Sequence, residues 1–198
     1  MRIAQLYLAL QEVIDSGKFP WAHLLDSTKI ILCTGNPQAK ILVVGRDLGR
    51  DEIEKEQVLV GKAGTKFRKT AKEIGFDPLK DFLMTNTVPL KPKGNKAFPQ
   101  EVREYFWPVL NHLLLHVRPK FILTLGNEAT RMFDPHADGI TKCAGMEFEY
   151  CYEGKDCAIV IPCAHPSYIG RGVSKEEEER VFTSPLQKLR RRYASSNA

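Results

Sequence analysis

Hydrophobic and polar positions follow two rhythms along this chain. Over the first 17 residues, MRIAQLYLALQEVIDSG, apolar residues recur every three to four positions around Glu12 and Asp15. That period predicts an amphipathic helix and not a secretion signal. After a loop containing Gly35, Asn36 and Pro37, AKILVVG at 39–45 is a continuous apolar run bounded by turn residues. Such a run predicts a strand buried on both faces. A helical pattern then covers Lys62 to Ile74, with Gly61 and Gly64 near its start. DFLMTNTVPL is apolar into Asn86, KPKGNKAF is a polar loop, and a helix is predicted from about Pro99 to His116. RPKFILTLG repeats the strand-then-glycine pattern, NEATRMF opens a short helix, and CAIVIPCAHPS supplies a fourth strand-like run ending at Ala164.

Strands separated by helical stretches build βαβ units. The predicted fold is therefore α/β, a three-layer α/β/α sandwich around a central, mainly parallel four-stranded sheet. The whole chain, 1–198, reads as a single domain, with 1–38 as an N-terminal helix and lead-in. The tail at 194–198, ASSNA, is expected to be disordered.

In such a sheet, ligands gather at the carboxyl ends of the strands. Those ends fall at Gly45–Gly49, Thr85–Val88, Gly126–Glu128 and Ala164–Ser167. Three of them carry side chains able to do chemistry. Asp47 can serve as a general base or offset positive charge, or can form an Asx turn or helix cap. Asn86 can read a ligand edge with both donors and an acceptor, or satisfy buried backbone. His165 can donate to a developing oxyanion, or play a structural part. Their arrival at one rim from different strands favours chemistry. GKAGTKFRK, a glycine-rich turn into a basic helix, suits a phosphate or a polar ring edge, although it lacks full P-loop spacing.

Composition narrows the setting. The hydrophobic fraction is 43%, and no apolar run approaches the ~20 residues that cross a bilayer, so no membrane partner is expected. Cys33, Cys143, Cys151, Cys157 and Cys163 form an odd set without a C-x-x-C pair. That predicts a reduced, intracellular, cytoplasmic chain and no metal cluster. The net charge of +5 permits a polyanionic partner, and lysine and arginine gather at 62–72, 91–96 and 188–192. Each basic run reads equally as a solvated surface.

In these positions GRDLG at Gly45, VGKAG at Val60, TNTVPLKPKGN at Thr85, RPKFILTLG at Arg118 and HPSYI at His165 follow one another in order. From about Ala39 to Leu189 the chain resembles the uracil-DNA glycosylase superfamily, most closely its bacterial and archaeal iron–sulfur branch. That resemblance implies excision of a flipped-out base from DNA by hydrolysis of its N-glycosidic bond. The implied base is uracil. Another damaged base (hypoxanthine, xanthine or mismatched thymine) and a non-catalytic nucleic-acid-binding role are the alternatives.

Carried over residue by residue, the resemblance assigns base reading to Asn86 and charge stabilisation on the leaving base to His165. Gly45, Arg46, Leu48, Gly49 and Leu59 would line the base pocket. Lys62, Lys66, Lys91 and Lys93 would face DNA, Ser167 a flanking phosphate, and Arg171 the DNA beyond it. Tyr168 and Ile169 would wedge into the gap left by the flipped base.

Three positions depart from that branch. Leu90 and Phe106 stand at cluster-ligand sites, so no cofactor is expected and hydrophobic packing takes its place. Leu59 stands where an aromatic ring stacks on the base, a contact worth roughly 1–3 kcal/mol, and Phe67 or Phe98 folding over the pocket is the expected substitute. Arg46 replaces the acid of G-E-A-P-G, while Asp47 matches the water-activating aspartate of the branch with G-Q-D-P-Y-H. Asp47 is thus the expected base, with Asp51 and Glu52 as other candidates. A monomer acting on DNA is expected.

Overall fold

The computed structural model of the chain describes residues 3–153, 156–169 and 172–196. Helix α1 (Ile3–Asp15) leads through β1 (Leu25–Ser27) and β2 (Cys33–Gly35) to β3 (Ile41–Gly45), α2 (Arg50–Lys55) and α3 (Lys62–Glu73). Then follow β4 (Phe82–Asn86), β5 (Lys91–Pro92), α4 (Gln100–Val117), β6 (Phe121–Leu125), α5 (Asn127–Arg131) and α6 (Ile140–Cys143). The chain closes with β7 (Phe148–Cys151), β8 (Cys157–Cys163), α7 (Lys175–Glu178) and α8 (Ser184–Ser195). The main sheet has the order β2-β4-β3-β6-β8-β7. Its four inner strands run parallel, as the sequence predicts.

Two edge strands correct the four-stranded expectation. β2 pairs antiparallel with β4, and β7 pairs antiparallel with β8, giving six strands. Both edges are short and carry exposed positions, and so lack the apolar run that betrays the inner strands. β1 and β5 form a separate two-stranded ladder.

Successive side chains on a strand point to opposite faces, and the inner strands are apolar on both. Ile41, Val43, Phe82, Met84, Phe121 and Leu123 pack on one face with Phe67 of α3 and Leu186 and Leu189 of α8. Leu42, Val44, Leu83 and Ile122 pack on the other with Leu110, Leu113 and Leu114 of α4. A third cluster seats α1 against α4 through Ile14, Phe19, Leu90, Phe98 and Phe106.

α8 runs through Ser195, so the tail expectation is corrected for Ala194 and Ser195; Asn197 and Ala198 lie outside the described residues. The reduced-chain expectation is corrected at one place, because Cys151 and Cys157 are joined by a disulfide across the β7–β8 hairpin. Two cysteines directly opposite in an antiparallel pair lie close enough to bond without any C-x-x-C spacing. No described helix is long and apolar enough to cross a membrane.

Candidate active site

Parallel strands in register bring their carboxyl ends to one rim: Gly45 of β3 pairs with Asn86 of β4, and Leu125 of β6 with Cys163 of β8. A cleft of about 740 Å³ opens there. It is bordered by Arg46 to Glu52, Leu59, Lys62, Asn86, Asn95, Gly126 to Glu128, Ile140, His165, Ser167 and Tyr168. The sequence-predicted trio of Asp47, Asn86 and His165 thus meets in one cavity.

Asn86 is 5% exposed, and its amide makes no hydrogen bond with any described residue. Among the described residues no fully buried side-chain nitrogen or oxygen lacks a partner, so the amide atoms of Asn86 stay open to the cleft, where a ligand or water completes their bonding. The structure therefore does not use Asn86 to satisfy backbone. Its amide stands in space that Gly45 leaves open, since a Cβ at residue 45 would lie 2.4 Å from Asn86 Oδ1. Gly45 itself does not border the cleft, which corrects its assignment as a pocket wall to that of a clearance.

Asp47 follows β3 with its side chain 8% exposed. Burial pushes its pKa up to about 6, against the nearby Arg46 charge and hydrogen bond, which hold it down. Glu128 raises it further and Arg103 lowers it. The carboxylate accepts from Arg46 Nε at 2.7 Å and Nη2 at 3.3 Å, so it does not serve as a helix cap. The N-cap of α2 is Gly49.

Glu52 has a different use. Its Oε2 accepts from the Gly49 N–H (3.1 Å), and its Oε1 from the N–H groups of Val60 (3.0 Å) and Gly61 (2.8 Å). One carboxylate thereby ties the loop after β3 to the turn that opens α3. With three backbone donors on it, Glu52 braces the two loops. Asp51 occupies the first turn of α2, where a carboxylate favours the helix dipole.

The Glu52-braced turn presents Leu59 to the cleft with φ 55, the left-handed region. Arg68 donates to the carbonyls of Leu59 (3.1 Å) and Val58 (3.2 Å). Gly64 is obligatory, because a Cβ there would lie 1.8 Å from the Leu59 carbonyl oxygen. With Leu48, Leu125 and Ile140, Leu59 makes an aliphatic wall. Phe67 and Phe98 do not fold over it: both are buried in the cores and neither borders the cleft.

His165 follows β8. Its Nδ1 accepts the Ser167 backbone N–H (3.2 Å) and lies 2.7 Å from Ser167 Oγ. A backbone N–H can only donate, so Nδ1 carries no proton in this turn and Nε2 holds the hydrogen of the neutral ring. The serine expected to touch phosphate thus sets the histidine's tautomer.

The basic positions divide. Lys62 is exposed at the cleft. Lys66 is paired with Glu178 at 2.7 Å, and Lys93 is exposed; neither borders the cleft. Lys91 is 7% exposed and paired with Asp26 between β5 and β1, which removes it from a DNA-facing surface. A polar loop rich in lysine gives no sign of which lysine folds inward. Tyr168 borders the cleft, whereas Ile169 is 7% exposed within the core of α3 and α8, so a wedge built on Ile169 is corrected. Arg171 lies outside the described residues.

The residues present do not fit an iron–sulfur cluster, which needs four converging thiolates. Leu90 and Phe106 are fully buried in the α1–α4 core. Cys33 packs on one sheet face, while Cys143 and Cys163 pack on the other. Among the described residues, Glu149, Cys151 and Cys157 are the one group of three clustered ligand-type side chains, and the disulfide consumes both of its thiols.

Sequence reading missed Glu128. It sits at the start of α5 after Gly126, whose φ of 92 turns the chain into the cleft. Glu128 follows the repeated strand-then-glycine signal by two residues, the same offset as Asp47 from Gly45.

A mainly parallel sheet flanked by helices, with an acid, an amide and an imidazole at one strand-end cleft, is the layout of an α/β enzyme site. The sequence profile of the uracil DNA glycosylase superfamily matches residues 33–190. Similar curated proteins are named type-4 uracil-DNA glycosylase. That of Thermotoga maritima is 29% identical over 167 residues, 84% of each chain. That of Archaeoglobus fulgidus is 31% identical over 159 residues, 78% of this chain and 79% of its own. That of Sulfurisphaera tokodaii is 29% identical over 137 residues, 67% of this chain and 62% of its own, so the chain spans under two thirds of that relative's length. The chain belongs to the uracil DNA glycosylase superfamily.

Proposed function

We propose that this chain is a DNA glycosylase that hydrolyses the N-glycosidic bond of a flipped-out deaminated base, with uracil as its substrate. The carrying observation is the Asn86 amide, which has no protein hydrogen bond and opens onto the same cleft as the buried Asp47 carboxylate. A flipped base is read through its Watson–Crick edge, and an amide offering donors and an acceptor matches the N3–H and O4 of uracil.

Asn86 of β4 and His165 after β8 stand three strands apart, roughly 14 Å at ~4.8 Å per strand. Ionised Asp47 orients a water and offsets the positive charge that develops on the sugar as the bond breaks. His165 Nε2–H donates to the anionic oxygen of the departing base. Water adds to the sugar carbon, its proton passes to Asp47, and an abasic site remains. Electrostatic groups set in advance are usually the largest catalytic contribution, on the order of 100-fold to 1000-fold for one donor.

The aliphatic wall around Leu59 favours a second reading, in which a larger deaminated base such as hypoxanthine or xanthine is accepted. Incubating the protein with duplex and single-stranded oligonucleotides carrying each lesion, followed by alkali, separates these readings. Scission at uracil supports the proposal, scission at a purine lesion alone supports the second, and retardation on a gel without scission supports a binding protein.

A further inference from the structure

Arg46 stands where the resembling branch keeps an acid, and its side chain does two things at once. Nε and Nη2 bond the two oxygens of Asp47, and Nη2 also donates to the Asn95 carbonyl at 3.2 Å. Nη1 makes no bond among the described residues. The guanidinium lies on the cleft wall with 31% of the side chain exposed, against 8% for Asp47 behind it.

This arrangement covers the carboxylate that the proposed reaction needs. Both Asp47 oxygens spend a lone pair on Arg46, and the adjacent positive charge lowers their basicity. A DNA strand entering the cleft brings phosphodiester oxygens, which a planar guanidinium binds in the same forked geometry as a carboxylate. The other charged groups facing Asp47 are Glu128 from α5 and Arg103 from α4, and His165 shares the cleft. If Arg46 moves away, Arg103 remains as a distant counter-charge and Asp47 becomes the stronger base.

Resting on the glycosylase reading, we propose that Arg46 is a partner-exchanging positioning residue. In the free protein it holds Asp47 and the Asn95 carbonyl; when DNA fills the cleft, its guanidinium transfers to a phosphodiester oxygen and leaves Asp47 to the water. Arg46 thereby couples occupancy of the cleft to the basicity of its acid.

The test uses binding and not excision. Affinity for a duplex carrying a tetrahydrofuran abasic analogue, which has no glycosidic bond to cut, is measured between roughly 50 and 200 mM salt. A phosphate contact releases counterions, so Arg46→Gln should lower the slope of log K against log salt by about 0.9, while Arg46→Lys keeps it. In the parent, the Arg46 Nε–H resonance should shift when the duplex is added. An unchanged slope in Arg46→Gln, or an Nε–H resonance that stays in place on binding, overturns the exchange and leaves the glycosylase reading standing. A parent that binds no DNA overturns both.

Discussion

On the β3–β4 side of the cleft, Asn86 stands in space cleared by Gly45 while Glu52 braces two loops with one carboxylate; on the β8 side, His165 is set by a short, partly exposed turn through Ser167. The first side is built from strand register and buried bonds that tolerate little displacement. The second includes two local bonds from Ser167 to one ring nitrogen. The proposed base-reading amide and water-activating acid therefore sit on rigid ground, whereas the imidazole lies on a turn that solvent can reach. Substitutions on the two sides should differ in size and in kind.

The largest effect is expected from Asp47→Asn, which keeps the shape of the side chain and removes its charge. Turnover in single-turnover excision should fall at least 100-fold with binding retained. The same substitution should stabilise the fold at neutral pH. The folded pKa of Asp47 lies above its unfolded value of 3.8, so stability is full below that value and is lost as pH rises through about 6. Removing that cost should recover on the order of 2–3 kcal/mol at neutral pH, readable by urea denaturation. An Asp47→Asn protein no more stable than the parent would place the carboxylate in an ordinary environment.

Gly45→Ala comes next. A Cβ 2.4 Å from Asn86 Oδ1 must displace the amide, so excision should fall about 10-fold to 100-fold while the fold survives. Third is Glu52→Ala, which frees the N–H groups of Gly49, Val60 and Gly61 and loosens the Leu59 wall. About 1–3 kcal/mol of stability should be lost, with KM rising more than kcat falls. If denaturation shows no loss, the three bonds do not brace the pocket.

The smallest effect is expected from Ser167→Ala on the β8 side. The backbone N–H still bonds Nδ1, so the tautomer persists and excision should drop less than about 10-fold. A loss as large as that of Gly45→Ala would mean that the two sides are equally dependent on side-chain bonds, erasing the contrast.

How far the molecule was legible follows from these same residues. The four inner strands announce themselves because burial on both faces demands unbroken apolar runs, and their ends give Asp47, Asn86 and His165 directly. The edge strands β2 and β7 were not legible, since pairing on one side leaves a mixed pattern. Within the charged stretch after Gly45, sequence favoured Asp47 as the base and kept Asp51 and Glu52 as other candidates. The structure separates them through their partners: backbone donors on Glu52, a cation on Asp47, and the first turn of α2 for Asp51. Lys91 and Ile169 were misplaced because inward and outward lysines, or core and wedge isoleucines, look alike until a neighbour is fixed. Glu128 was readable from its offset after Gly126, but an acid at the start of a helix has an ordinary explanation in the helix dipole.

The central claim is that ionised Asp47 drives excision of a deaminated base. Its most direct test is the pH dependence of single-turnover cleavage of a uracil-containing oligonucleotide, measured for the parent and for Asp47→Asn. The expected parent rate climbs tenfold per pH unit on the acid side and levels off once Asp47 is ionised, at about pH 6 with Arg46 in place and higher when Arg46 has moved to DNA, while Asp47→Asn stays near background throughout. A parent rate that is flat across that range, or an Asp47→Asn rate close to the parent's, would contradict it.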